Sequence, residues 1–165
     1  MSFRALFFIS SIFFVSTSSI ASEPIYANAQ IALTKPEQST GGVAAVVAVG
    51  IPVPDRKGIF IEGQLSSTIL EPKQNSMELS YTHLGGYGVY QRLFNEKFAL
   101  HGKAGLLYQY SKIEQDVSAG SAGIAFAVGA TIHHNRNISY LLELSTVQAE
   151  LNLIYISAGI QYRFR

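Results

Sequence analysis

Residues Lys97 to Tyr110 read KFALHGKAGLLYQY, and this stretch decides the fold class. Its residues alternate between two sets, and a period of two is typical of a β-strand with two different faces. One set is apolar or small, and the other carries the charged and polar groups. The first set is Phe98, Leu100, Gly102, Ala104, Leu106, Tyr108 and Tyr110, and the second is Lys97, Ala99, His101, Lys103, Gly105, Leu107 and Gln109. One face suits lipid and the other suits a polar interior, so the stretch predicts a strand that crosses a membrane.

Seven further segments extend this pattern along the chain. Six of them alternate, and in the long one the side predicted to be apolar holds Met77, Leu79, Tyr81, Gly85, Tyr87 and Val89. The seventh, Val43 to Ile51, is apolar on both faces, so its register stays open. The seven segments are 27–33, 43–51, 59–66, 76–92, 124–132, 138–145 and 154–164. Eight strands in all predict an all-β fold, an eight-stranded antiparallel up-and-down transmembrane β-barrel.

The connections between these segments predict which end of the barrel is which. Pro52 to Lys57, Phe94 to Lys97 and His133 to Asn137 are short and rich in Pro, Asp, Asn or charge, as turns are. The alternate connections, 34–42, 69–75 and 111–120, are predicted to be longer loops. Outer-membrane barrels place short turns in the periplasm, and an even number of strands brings both termini to that side.

The N-terminus predicts export. Arg4 precedes an uncharged apolar run from Ala5 to about Val15, and small residues end at Ala21. This order is typical of a secretory signal peptide, and the run is too short to span a bilayer as a helix. We therefore expect a signal peptide at 1–21, cleaved after Ala21, and a single barrel domain at 22–165 in the outer membrane of a Gram-negative bacterium.

Composition excludes several classes of protein. Charged residues make up 14% of the chain and the net charge is +1, which argues against a nucleic-acid-binding surface. The chain has no Cys, so disulfides cannot stabilise it after export. We expect a monomer whose partners are outer-membrane lipid, lipopolysaccharide and the export and barrel-assembly machinery.

The inward face of the predicted barrel carries charges of both signs. An eight-stranded barrel is just wide enough for side chains to fill its interior, so these charges are expected to pair with one another. The predicted lumen network is Glu62, Glu78, Arg92, His101, Lys103, Glu143 and Arg163. We interpret it as a structural plug, with a proton path, gate or catalytic site as the functional alternative.

Aromatic residues near strand ends predict the interfacial girdles of a membrane barrel. The candidates are Tyr26, Phe60, Tyr81, Tyr110, Tyr140, Tyr162 and Phe164. A soluble periplasmic lipocalin-like barrel would show the same alternation with the apolar faces turned inward around a ligand. The small number of charges favours the membrane alternative.

The chain also resembles a known family. GGYGVY at 85–90, KFALHGKAGLLY at 97–108 and AGIQYRF at 158–164 are similar to the central and last strands of the small, porin-like outer-membrane β-barrels of the OmpA type. The resemblance implies a transmembrane barrel, often without an assigned activity. In that family the last residue is an aromatic that the assembly machinery reads, whereas here Arg165 follows Phe164.

No catalytic, cofactor or metal site is predicted. A lipid A deacylase of this fold carries a Ser two residues from its His, whereas His83 is followed at that spacing by Gly85 and His101 by Lys103. The His133–His134 pair lies in a predicted turn without a matched third ligand. The function expected is a structural or surface-interaction role without catalysis. A narrow porin-like channel for small solutes or ions is the first alternative, and the lipocalin-like barrel is the second.

Overall fold

The computed structural model describes residues 23–36, 40–74, 77–113, 116–150 and 152–164, with backbone alone at 73–74, 77–78, 113 and 116–119. The predicted signal peptide and Arg165 lie outside these residues. Among the residues described, no helix is long and apolar enough to cross a membrane.

The chain folds into antiparallel β-strands joined by short connections. They are β1 (Tyr26–Pro36), β2 (Gly42–Pro52), β3 (Ile59–Leu70), β4 (Lys73–Gln74), β5 (Met77–Asn95), β6 (Phe98–Ile113), β7 (Asp116–His133), β8 (Ile138–Gln148) and β9 (Leu153–Arg163). The two-residue β4 pairs only with the start of β5. The other eight strands form one barrel.

The barrel is closed by two pairings, between β1 and β9 and between β3 and β5. Following paired residues around the wall from Tyr26 leads back to β1 at Pro36, ten residues farther along the strand. Such a stagger tilts the strands against the barrel axis, as closure requires. The predicted eight-stranded antiparallel barrel is confirmed.

The two faces of the wall have opposite chemistry. Aliphatic side chains such as Ile31, Leu142 and Ile156 are exposed outward. Polar residues such as Gln30, Glu143 and Ser157 are buried inside. A soluble lipocalin-like barrel would show the reverse, so that alternative is wrong. In β2 the structure fixes the register left open by the sequence, because Ala44, Val46 and Ala48 point inward while Val47, Val49 and Ile51 are outward.

Strand β5 is inverted relative to the prediction. Leu79, Tyr81, Tyr87 and Val89 are buried inside, whereas Leu84 and Tyr90 are exposed. Both alternating sets of this strand contain apolar residues, so the local pattern does not determine its face. The pairing does, because Tyr87 lies opposite the inward Glu62 of β3.

The predicted aromatic girdle is therefore only partly correct. Tyr26, Phe60 and Tyr81 are buried in the lumen, where large rings fill space that a narrow barrel must close. The remaining candidates, Tyr110, Tyr140, Tyr162 and Phe164, are exposed outward.

The barrel has two different ends. The terminal end carries both chain ends of the described structure and the connections 53–58, 96–97 and 134–137, and these three turns are where the sequence predicted them. The opposite end, which we call the far end, carries the connections after β1, β3, β6 and β8. Residues 111–120 were predicted to be a loop, but the strands β6 and β7 continue through most of them.

At the far end, β5, β6 and β7 project beyond their neighbours. The pairing of β7 with β8 ends at Ile124, but its pairing with β6 continues to Asp116. Likewise β5 and β6 pair as far as Leu79, beyond the last pairing of β5 with β3 at Thr82. We call this extension the far-end ribbon.

Candidate functional site: the charged lumen

Lys103 is the centre of a buried ionic network. Its ammonium donates to Glu62 Oε1 at 2.9 Å, to Glu143 Oε1 at 3.0 Å and to Gln64 Oε1 at 2.7 Å. An ammonium has three protons, so all of its donors have acceptors. The ammonium also lies 5.1 Å from the centre of the Tyr87 ring. The side chain is 3% exposed, so these contacts are made out of water.

The two carboxylates of the network are bonded on both oxygens. Tyr26 donates its hydroxyl to Glu62 Oε2 at 2.8 Å. Glu143 accepts from Ser145 at 3.1 Å through Oε1, and its Oε2 lies 3.2 Å from Nε2 of His101. A buried charge is tolerated when it is paired and its remaining lone pairs are satisfied. The arrangement meets that condition.

Two small residues make room for this network. A Cβ at Gly50 would overlap the ring of Tyr26, and a Cβ at Gly129 would overlap the ring of His101. Gly50 is paired with Tyr26 and Gly129 with His101, each on the neighbouring strand. Glycine at these positions lets each ring lie flat against the wall and reach its carboxylate.

The structure brings together four of the seven residues of the predicted network: Glu62, His101, Lys103 and Glu143. The prediction that Arg92 belongs to the lumen network is wrong. It is exposed, and its guanidinium lies 5.8 Å from the Phe94 ring. The prediction placed Arg92 inward because it exchanged the two faces of β5.

Glu78 and Arg163 are the two remaining residues of the predicted lumen network. Glu78 was predicted to lie on the face opposite Leu79; Leu79 is in fact inward, and the side chain of Glu78 lies outside the described residues. Arg163 is half-buried at the terminal end, where it pairs with Tyr26 of β1 through the register. Sequence reasoning assigned Tyr26 to the aromatic girdle instead, and it missed Gln64 and Ser145, whose neutral side chains gave no signal beyond their place on the inward face.

A second buried cluster lies nearer the far end. Nδ1 of His83 is 2.8 Å from the Tyr155 hydroxyl and 3.2 Å from the Ser66 hydroxyl. The rings of Tyr81 and His83 are stacked with centres 5.2 Å apart. The sequence did not pair these residues, because they come from β3, β5 and β9. His83 and Ser66 are each 3% exposed, so a substrate in solution or in the membrane has no access to them.

The two clusters fill the lumen. The cavity beside the Lys103 network has a volume of about 10 Å³, and the cavity between the two clusters has about 20 Å³. Each is comparable with the space that one water molecule needs. Across the described residues, the lumen is therefore a packed core rather than an open channel.

Within the described part of the chain, no three His, Asp or Glu side chains are grouped closely enough to hold a metal ion. His133 Nδ1 is 2.8 Å from the Ser139 hydroxyl, and the His134 ring contacts Tyr140.

Solved structures provide the comparison that decides the class of the fold. The chain is similar to Neisserial surface protein A (TM-score 0.72, 14% identity), with 85% of this chain and 97% of that one covered. It is also similar to OprG from Pseudomonas aeruginosa (0.64, 11%, covering 87% and 96%). A third is Ail, the attachment invasion locus protein of Yersinia pestis (0.62, 13%, covering 86% and 97%). The fold is that of a small outer-membrane β-barrel.

The neighbours and the outward face agree on the setting of this barrel. The neighbours are outer-membrane barrels, and the apolar belt of this chain matches a hydrocarbon environment, which together support an outer-membrane location. No protein-family model and no curated protein sequence matches the chain.

Proposed function

We propose that this chain is a structural or surface-interaction barrel of the outer membrane, without catalytic activity. The observation that carries the proposal is the filled lumen, in which the Lys103 network is saturated with internal hydrogen bonds. Groups that satisfy one another in this way are not available to a substrate. The surfaces left for function are the outer wall and the two ends.

The far end is the end proposed to face outside the cell. Export of the chain and periplasmic placement of both termini leave this end at the cell surface. The far-end ribbon extends the wall there and offers backbone and side chains to a partner. Two structural neighbours, Neisserial surface protein A and the attachment invasion locus protein Ail, have names that fit such a role.

The topology can be tested by labelling single cysteines, because the chain contains none of its own. Glu150 is exposed at the far end and Lys57 is exposed in a turn of the terminal end. On intact cells, a membrane-impermeant maleimide is expected to label Glu150→Cys and to spare Lys57→Cys. Lys57→Cys is expected to react once the outer membrane is permeabilised.

The opposite result on intact cells would overturn the proposal, since it would place the far end in the periplasm. Labelling of both variants on intact cells would also contradict it. Equal labelling of both variants in purified protein is the control for their intrinsic reactivity.

A further inference from the structure

The arginines of the described chain all lie at the terminal end of the barrel. Arg56, Arg92 and Arg136 are exposed in or near the three turns of that end, and Arg163 is the last residue of β9. In the same described part of the chain, the far end carries lysines and no arginine. A guanidinium is a planar fork of donors that matches a carboxylate. Arg136 and Arg163 already interact within the protein, which leaves Arg56 and Arg92 to meet a partner.

The turn 53–58 has a backbone that its neighbours hold in place. Asp55 and Gly58 lie in the left-handed region, with φ of 60° and 74°. Both carboxylate oxygens of Glu23 accept the backbone N–H of Gly58, at 3.1 and 3.2 Å. The carbonyl of Gly58 accepts the backbone N–H of Gln91 at 2.7 Å, which joins the turn to the end of β5. Left-handed residues other than glycine persist where the surroundings determine the conformation, and they are concentrated at functional sites.

Four exposed cations, which we call the terminal basic patch, lie on this turn and on the neighbouring hairpin of β5 and β6. They are Arg56, Lys57, Arg92 and Lys97. Among the described residues, no ion pair involves Arg56, Lys57 or Lys97. Asp55 and Glu96 are the exposed acids of the same two turns, so the patch keeps a net positive charge.

The position of the patch determines which partner it can meet. Arg56 and Lys57 lie in the middle of the turn, beyond the last pairs of β2 and β3 and therefore beyond the lipid-facing belt. In the proposed topology this side is the periplasm. Cations spread over two turns suit an extended partner with several acidic groups better than one small anion. The peptide stems of the cell-wall polymer, peptidoglycan, carry free carboxylates and lie on this side of an outer membrane.

We infer that the terminal basic patch binds carboxylates of peptidoglycan and holds the barrel to the cell wall. The inference deepens the proposed structural role, and it rests on that proposal for the orientation of the barrel. Each contact is an ion pair exposed to water, so the contacts are individually weak and sensitive to salt, and binding depends on their number.

The test is co-sedimentation of the barrel, in phosphatidylcholine nanodiscs, with purified peptidoglycan sacculi stripped of bound protein. Wild type is expected to sediment with the sacculi at about 50 mM NaCl and to be released at about 500 mM, because salt screens exposed charges. The double variant Arg56→Gln/Lys57→Gln is expected to bind about fivefold more weakly, the effect of losing two exposed ion pairs. The matched control is Lys35→Gln/Lys112→Gln, the same change of charge at two exposed residues of the far end, and it is expected to bind as wild type does.

Wild-type binding no greater than that of empty nanodiscs would overturn the inference. Equal loss in the two double variants would also overturn it, because it would indicate attraction to overall charge. Association of wild type with phosphatidylglycerol vesicles but not with sacculi would instead assign the patch to lipid headgroups. Nanodiscs expose both ends of the barrel, so this result does not depend on orientation in the cell and can fail independently of the cysteine-labelling result.

Discussion

At the scale of single residues, the lumen shows how a barrel without disulfides can hold buried charge. Lys103 contacts both Glu62 and Glu143, and each carboxylate has a further partner on another strand, Tyr26 of β1 for Glu62 and His101 of β6 for Glu143. Each contact joins residues far apart in the chain. The network therefore links β3, β6 and β8 across the lumen and is formed only when the barrel is closed.

Removal of one acid tests the structural role of the network. Glu143→Ala leaves Lys103 and His101 without one of their acceptors, and we expect the free energy of unfolding to fall by about 3 kcal/mol. Glu150→Ala is the matched control, because Glu150 is exposed, and it is expected to change little. The measurement is the urea midpoint of the detergent-solubilised barrel. Equal midpoints for the two variants would show that the network does not stabilise the fold.

At the scale of elements, alternation predicted the strands whose two faces differ clearly in polarity. β6 and β9 are examples, with Leu106 and Ile160 outward and Gln109 and Gln161 inward, as predicted. The predicted orientation of β5 was wrong because both faces of this strand carry apolar residues and glycine. Its orientation depends on pairing with β3, which is a long-range contact that a local pattern does not contain. The same limit explains why Arg92 was placed inside.

Adjacent glycines of β5 test its corrected orientation. A Cβ at Gly85 would lie 2.8 Å from the Tyr87 ring and 3.1 Å from the Leu106 carbonyl oxygen, whereas a Cβ at Gly86 meets nothing within 4 Å. We expect Gly85→Val to destabilise the barrel by about 1 to 3 kcal/mol through overpacking, and Gly86→Val to be nearly neutral. Urea unfolding of both variants measures this. A larger loss at Gly86 would restore the orientation that the sequence predicted.

At the scale of the whole molecule, closure was predictable and the detail of the far end was not. An open sheet edge in hydrocarbon leaves backbone groups without partners, so eight membrane strands predict a closed barrel. The length of β6 and β7 beyond the membrane is not constrained by that argument, and polar residues such as Ser111 and Lys112 suggested a loop. The backbones of β6 and β7 pair with each other through this stretch instead, for example Ser111 with Ala119, and this pairing produces the far-end ribbon.

Four of the seven predicted lumen charges do meet in one network, but their individual partners were not predictable. The alternation along each strand identified Glu62, His101, Lys103 and Glu143 as residues of the inward face. The stagger of ten residues around the wall decides which of these side chains meet at one height, and no local pattern specifies that stagger. For the same reason, Tyr26 was predicted to lie in the aromatic girdle and not beside Glu62.

Planar-bilayer conductance tests the central claim, a barrel whose lumen is filled, most directly. The sample is wild-type protein whose folded state is shown by a heat-dependent shift in gel mobility, with a known porin as positive control. We predict no discrete conductance steps, because the cavities beside the Lys103 network are each no larger than about 20 Å³. Reproducible steps from folded protein that change in size or selectivity with Lys103→Ala would contradict the account and establish a channel through the lumen.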